Sequence, residues 1–168
     1  MKTELGTLRV GIDIGRVIIG GGGADTHFFG RSEAEALRRT PAIPGAFAGV
    51  ARLVERFEGE AWLVSKCGPR IQRRSMAWLD HHDFWAKTGV SRERVRFCRE
   101  RADKAIHARE LELTHFVDDR YDVLKHLVGL VEHLYLFGPQ PRKRSARPRH
   151  MIPTPTWDAV LSAVAVPG

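Results

Sequence analysis

Asp13, Ser65, Lys104 and the adjacent pair Asp118-Asp119 are the side chains in this sequence whose types and placement could do chemistry together. Asp13 closes an apolar run, Leu8 to Ile14, and Ser65 closes another, Ala61 to Ser65. Asp118-Asp119 close a third, and Lys104 opens a helical stretch. A carboxylate pair at a strand end suits Mg²⁺, a hard cation that takes oxygen ligands and keeps several waters. A lysine and a serine hydroxyl beside it suit a phosphoryl group. A further carboxylate, Asp13, can attack phosphorus as a nucleophile.

These residues can converge only if the intervening elements bring the strand ends to one edge. Leu8–Ile14, Ala61–Ser65, Arg94–Cys98, Thr114–Val117 and His133–Phe137 read as strands. They lack clean polar alternation, which suits strands covered on both faces. Helices are expected between them. Ser32–Arg39 has a capping box (Ser32 and Glu35), and Gly45–Phe57 carries Phe47, Val50, Leu53, Val54 and Phe57 at helical spacing. Ile71–Phe84, Ala102–Glu110, Tyr121–Gly129 and Trp157–Val166 complete the set, the last with Thr156 as N-cap. Strands alternating with helices favour parallel pairing and a three-layer α/β/α sandwich with a mostly parallel central sheet. In such a sheet ligands sit at the C-terminal strand ends, which selects Asp13, Ser65, Asp118 and Asp119.

Composition sets wider bounds. The chain has 168 residues, enough for one ordinary domain, and 43% hydrophobic and 28% charged residues. Disorder, collagen and coiled coil are thereby excluded. Two cysteines, Cys67 and Cys98, are too few for a disulfide framework or a cysteine-based zinc site. No apolar run nears membrane-span length, and no secretory leader is evident, so a cytoplasmic location is the expectation. The formal net charge is +7, yet Arg142, Lys143, Arg144, Arg147 and Arg149 crowd one proline-broken loop and leave about +2 for the rest. That loop is a candidate contact for nucleic acid, since each phosphate neutralised adds salt-sensitive affinity.

Other features read as structural. Gly20–Gly23 lacks the Gly-Lys-Ser/Thr of a P-loop and reads as a hinge. In Asp80-His81-His82-Asp83, adjacent residues face different sides of a helix, so the four cannot bind one ion. Cys67 reads as packing near the site.

The order and spacing of the chemical residues resemble the haloacid dehalogenase (HAD) superfamily of phosphohydrolases. The four motifs appear as Val10-Gly11-Ile12-Asp13-Ile14-Gly15, Trp62-Leu63-Val64-Ser65, Arg101-Ala102-Asp103-Lys104 and His115-Phe116-Val117-Asp118-Asp119. Pro44-Gly45-Ala46 resembles the segment ahead of the second motif. Pro153–Val160, with Trp157 opening a helix, resembles the small cytosolic deoxyribonucleotidase branch. The resemblance implies a single HAD-like, Rossmannoid domain over 1–168, with 20–44 as a minimal cap. It implies Asp13 as nucleophile and Mg²⁺ ligand, the Gly15 carbonyl as a further ligand, and Asp118 and Asp119 as metal ligands. Ser65 would bond the phosphoryl oxygens of a phosphorylated substrate, and Lys104 would neutralise charge.

One position departs from the pattern. The superfamily's phosphatases usually carry a second aspartate two places after the nucleophile, as general acid and base. Here that place is Gly15, and Asp25 and His27 are the nearby candidates to replace it. Loss of such a group typically costs on the order of 10²–10⁴-fold in rate. The expectation is a Mg²⁺-dependent phosphohydrolase with a weakened acid/base step. The alternative is an impaired relative that binds phosphate or nucleic acid.

Overall fold

A computed structural model describes residues 2–3, 6–20, 26–141 and 149–164. The expectations for glycines 21–23, for Asp25, for Arg142, Lys143, Arg144 and Arg147, and for the last residues of the closing helix (165–166) lie outside the described residues.

β1 (Lys2–Thr3) and β2 (Gly6–Thr7) form a small antiparallel pair. The main sheet contains β3 (Val10–Ile12), β4 (Ala61–Lys66), β5 (Val95–Cys98), β6 (His115–Asp118), β7 (His133–Phe137) and β8 (Met151–Thr154). Its spatial order is β5-β4-β3-β6-β7-β8, and every pairing is parallel. Parallel neighbours require a crossover; helices supply each one up to β7, and a last helix follows β8. These are α1 (Glu33–Arg39), α2 (Ala46–Arg56), α3 (Pro69–His81), α4 (Phe84–Thr88), α5 (Lys104–Glu110), α6 (Tyr121–Leu124) and α7 (Trp157–Ala163).

Side chains alternate across a strand, so each strand feeds two cores. Val10, Ile12, Leu63, Val117, Tyr135 and Phe137 face one side, against Val50 and Leu53 of α2, Trp78 and Leu79 of α3, and Trp157 and Val160 of α7. Trp62, Val64, Phe116, Leu134 and Leu136 face the other, with Ala108 of α5 and Leu124 of α6. The result is the expected three-layer α/β/α sandwich. Gly11 is needed in β3 because a Cβ there would lie 2.6 Å from Leu113 Cδ1 and 2.8 Å from Phe116 Cδ2. No helix among the described residues is long and apolar enough to cross a membrane.

The β1–β2 pair has no counterpart in the sequence reading, and three later elements also differ from expectation. Ile71–Phe84 is two helices, because the chain turns at His82 and Asp83, the latter at φ 53°. α3 instead begins earlier, with Pro69 in its first turn, where a missing N–H costs nothing. The Tyr121–Gly129 segment stays helical only to Leu124. Beyond it His126, Leu127 and Leu130 bond three residues back, a tighter winding that buries Leu127. Strand β8 has no counterpart in the sequence reading. It contains Pro153, which cannot donate to a ladder, and is tolerated because β8 is an edge paired only with β7.

Candidate functional site

The sheet order reverses at β3. The chain runs outward through β4 and β5, then returns to the opposite side of β3 to lay down β6. A crevice forms at such a switch point, beyond the C-terminal ends of the two central strands. Asp13 follows β3 and Asp118 ends β6, so both stand at that crevice. The Asp13 N–H donates to Val117 O at 2.9 Å, extending the β3–β6 ladder to the site itself.

The turn after β3 is tightly wound. Ile18 and Ile19 donate to Ile14 O at 2.8 and 3.0 Å, and Arg16 takes a left-handed conformation at φ 63°. Val17, Ile18 and Ile19 are buried, and Trp157 Nε1 donates to Val17 O at 2.8 Å. This anchoring places Gly15 beside the carboxylates and lets Arg16 approach Asp119 at 3.6 Å. Lys104 arrives from the other layer, as the first residue of α5 after a 3₁₀ turn over Arg101–Asp103.

Lys104 is 2% exposed, and its ammonium bridges the two central strands. Nζ donates to Asp13 Oδ1 at 3.0 Å and to Asp118 Oδ2 at 2.7 Å. Backbone N–H groups complete the carboxylates: Ile14 N donates to Asp13 Oδ1 at 2.8 Å, and Arg120 N donates to Asp118 Oδ1 at 3.0 Å. The oxygens offered by Asp13, Asp118 and Asp119 all lie within 4.8 Å of one another.

Three carboxylates share this space with one buried ammonium, and their titration shows the imbalance. Burial pushes Asp13 up to about 6, with Lys104 opposing and Asp119 adding to the rise. Asp118 also rises to about 6 through burial and the charge of Asp13, against the pull of Lys104. Asp119 reaches about 6 through burial and the charge of Asp118, opposed by Arg16 and Arg120. For Lys104, burial alone would lower the pKa, but Asp118 and Asp13 outweigh it and raise it. A clustered, oxygen-only donor set in charge deficit fits a hard divalent cation.

A small cavity of about 20 Å³ opens onto the cluster, lined by Asp13, Gly15, Lys104, Asp118 and Asp119. The structure therefore brings five of the six predicted site residues together. Ser65 is buried at the penultimate position of β4, and Lys66, one residue on, is the β4 side chain that lines the cavity. Arg101, Arg120 and Thr26 line it too, and sequence reasoning passed over all four. Arg101 and Arg120 had a visible signal, since they flank Lys104 and Asp119 in the motifs. Thr26 had none, because its approach depends on how the 20–44 segment returns to the sheet. His27 is exposed and absent from the cavity lining. A wider groove shares Arg16 and Asp119 with the site and is walled by Ile43, Pro44, Phe137, Pro139 and Trp157.

The remaining motifs behave structurally. Asp80 accepts from Trp85 Nε1 and from both nitrogens of the Arg92 fork, while His82 Nε2 meets Leu37 O at 2.8 Å. Cys67 is a free, buried thiol whose pKa burial pushes up, the state of a packing residue. Of the basic loop, Arg149 is described and exposed.

No family model matches the sequence, and no curated protein matches it. Solved structures do match. One is described as the structure of DsGPDH of Dunaliella salina, with a TM-score of 0.51 at 15% identity, covering 79% of this chain and 24% of that one. At that identity the likeness is one of fold, and this chain spans about a quarter of the other's length. Fold and aspartate cluster together are those of a Rossmannoid α/β protein with a candidate metal-binding cluster at the C-terminal ends of its central strands.

Proposed function

We propose that this chain is a Mg²⁺-dependent phosphohydrolase of HAD type, acting on a phosphate ester or anhydride through an aspartyl-phosphate at Asp13. The observation that carries the proposal is the Lys104 bridge. A buried ammonium bonded to carboxylates from both central strands, beside a third carboxylate, is a costly arrangement with no packing purpose. Asp13, Asp118, Asp119 and the Gly15 carbonyl would hold Mg²⁺, which when bound supplies positive charge to the phosphoryl oxygens. Lys104 holds Asp13 in place, and at neutral pH Asp13 is ionised and nucleophilic. Lys66, Arg101 and Arg120 add cationic donors around the cavity, where a transferring phosphoryl group needs neutralisation. Ser65 is proposed to bond a phosphoryl oxygen, and the groove beside Asp119 to take the leaving group. Likeness to the deoxyribonucleotidase branch, and contact of a polyanion with Arg142, Lys143, Arg144, Arg147 and Arg149, belong to the same proposal.

The test measures leaving-group release from an aryl phosphate and a panel of phosphate esters, with Mg²⁺ and with chelator. Release is expected to need Mg²⁺ and to vanish in Asp13→Asn. Wild-type release equal to that of Asp13→Asn across the panel refutes the proposal. In that event salt-sensitive RNA or DNA binding that survives Asp13→Asn would favour the alternative, a non-enzymatic binding protein, the reading that Gly15 supports.

A further inference from the structure

Gly15 leaves no space for the carboxylate that its position usually holds. A Cβ built on it would run into Thr26 Oγ1 and would lie 3.0 Å from both Cα and Cβ of Thr26. Thr26 is also among the residues lining the cavity with Asp13 and Lys104. The place of an acid/base group is thus taken by a hydroxyl from the 20–44 segment. A threonine hydroxyl donates and accepts hydrogen bonds but neither gives up nor takes a proton in the neutral range.

Resting on the phosphohydrolase reading, we infer that this site takes its phosphoryl group from donors with weakly basic leaving groups, acyl phosphates and aryl phosphates, and keeps it as a long-lived phospho-Asp13. In the first step an Asp13 carboxylate oxygen attacks phosphorus. The new Oδ–P bond forms as the P–O bond to the leaving group breaks. The bonding pair departs with the leaving group as a carboxylate or aryloxide, which needs no proton. A sugar or alkyl alkoxide would need one, and Thr26 cannot supply it. In the second step water must attack the same phosphorus, return the bonding pair to Asp13 and lose a proton. With no carboxylate at Gly15 and a threonine hydroxyl in its place, that step slows by on the order of 10²–10⁴-fold. The first step loses nothing, so the phosphoryl enzyme accumulates.

The experiment mixes the full-length chain and Mg²⁺ with acetyl phosphate or 4-nitrophenyl phosphate. It follows leaving-group release from the first turnover and the intact mass of the chain. The expected result is a burst near one leaving group per chain, then a steady phase roughly 10²-fold slower or more. The chain gains the mass of one phosphoryl group, which hydroxylamine removes. Thr26→Asp is expected to merge the burst into a faster steady phase. Steady release without a burst or a phosphorylated chain, yet abolished by Asp13→Asn, overturns the inference and leaves the phosphohydrolase standing. A steady phase that falls in Asp25→Asn also overturns it, by assigning the base to Asp25. Absence of any Asp13-dependent release removes the phosphohydrolase reading itself. The wild-type burst decides the matter even if Thr26→Asp fails to fold.

Discussion

Replacing Asp119 with asparagine should make the metal-free protein more stable at pH 8 and nearly unchanged at pH 4. Asp119 is close to an ordinary carboxylate of pKa 3.8 when unfolded and rises to about 6 in the fold, through burial and the charge of Asp118. A carboxylate with a raised folded pKa is penalised in the fold once ionised. The penalty is absent below the unfolded pKa, grows through pH 4–6 and is complete above the folded pKa. Two pKa units correspond to about 3 kcal/mol at pH 8, and to about 0.5 kcal/mol at pH 4. The opposing pull of Arg16 is already contained in that shift. Asparagine is nearly the same shape and removes the charge. For a chain of this size each kcal/mol moves Tm by roughly 2–4 °C, so the variant should melt roughly 6–12 °C higher at pH 8. The assay is thermal melting in chelator at both pH values, repeated with Mg²⁺. Added Mg²⁺ should stabilise the wild type more than the variant, which has lost a ligand. A gain equal at the two pH values, or a loss at pH 8, would refute the electrostatic reasoning and leave only a local packing effect.

Two further outcomes follow from the same contacts. Lys104→Met should cost about 3–5 kcal/mol at pH 8, because Asp13 and Asp118 lose the ammonium they share. The cost should shrink toward pH 5 as those carboxylates take up protons, and urea unfolding at both pH values checks this; a pH-independent loss would refute it. Gly49→Ala should destabilise by about 1–3 kcal/mol, since a Cβ there would lie 3.1 Å from Trp157 Cγ and closer still to its ring. Melting measures the loss, and an unchanged Tm would refute the close approach of α2 and α7.

Much of the sheet was legible because buried parallel strands are short apolar runs bounded by turns. β7 matches its expected bounds, and β4 and β6 differ only at their ends. The caps were legible for the same local reason. Ser32 Oγ accepts from Glu35 N at 3.1 Å, and Thr156 Oγ1 from Ala159 N at 3.2 Å. β8 was not legible, since its proline argues against a strand wherever the edge position is unknown. Neither was the break at Asp83, because apolar spacing continues across it through Trp78, Leu79 and Phe84.

The sequence by itself determined which residues end at one edge of the sheet. Alternating strands and helices force parallel pairing, and parallel pairing puts Asp13 and Asp118 at the same ends of β3 and β6. It also determined that position 15 carries no carboxylate. Only the tertiary structure decided that one ammonium joins both strands, that Lys66 lines the cavity one residue beyond Ser65, and that Thr26 stands against Gly15. Those facts rest on distances between residues 11 to 91 positions apart. Local periodicity carries no information about such distances, and packing alone sets them.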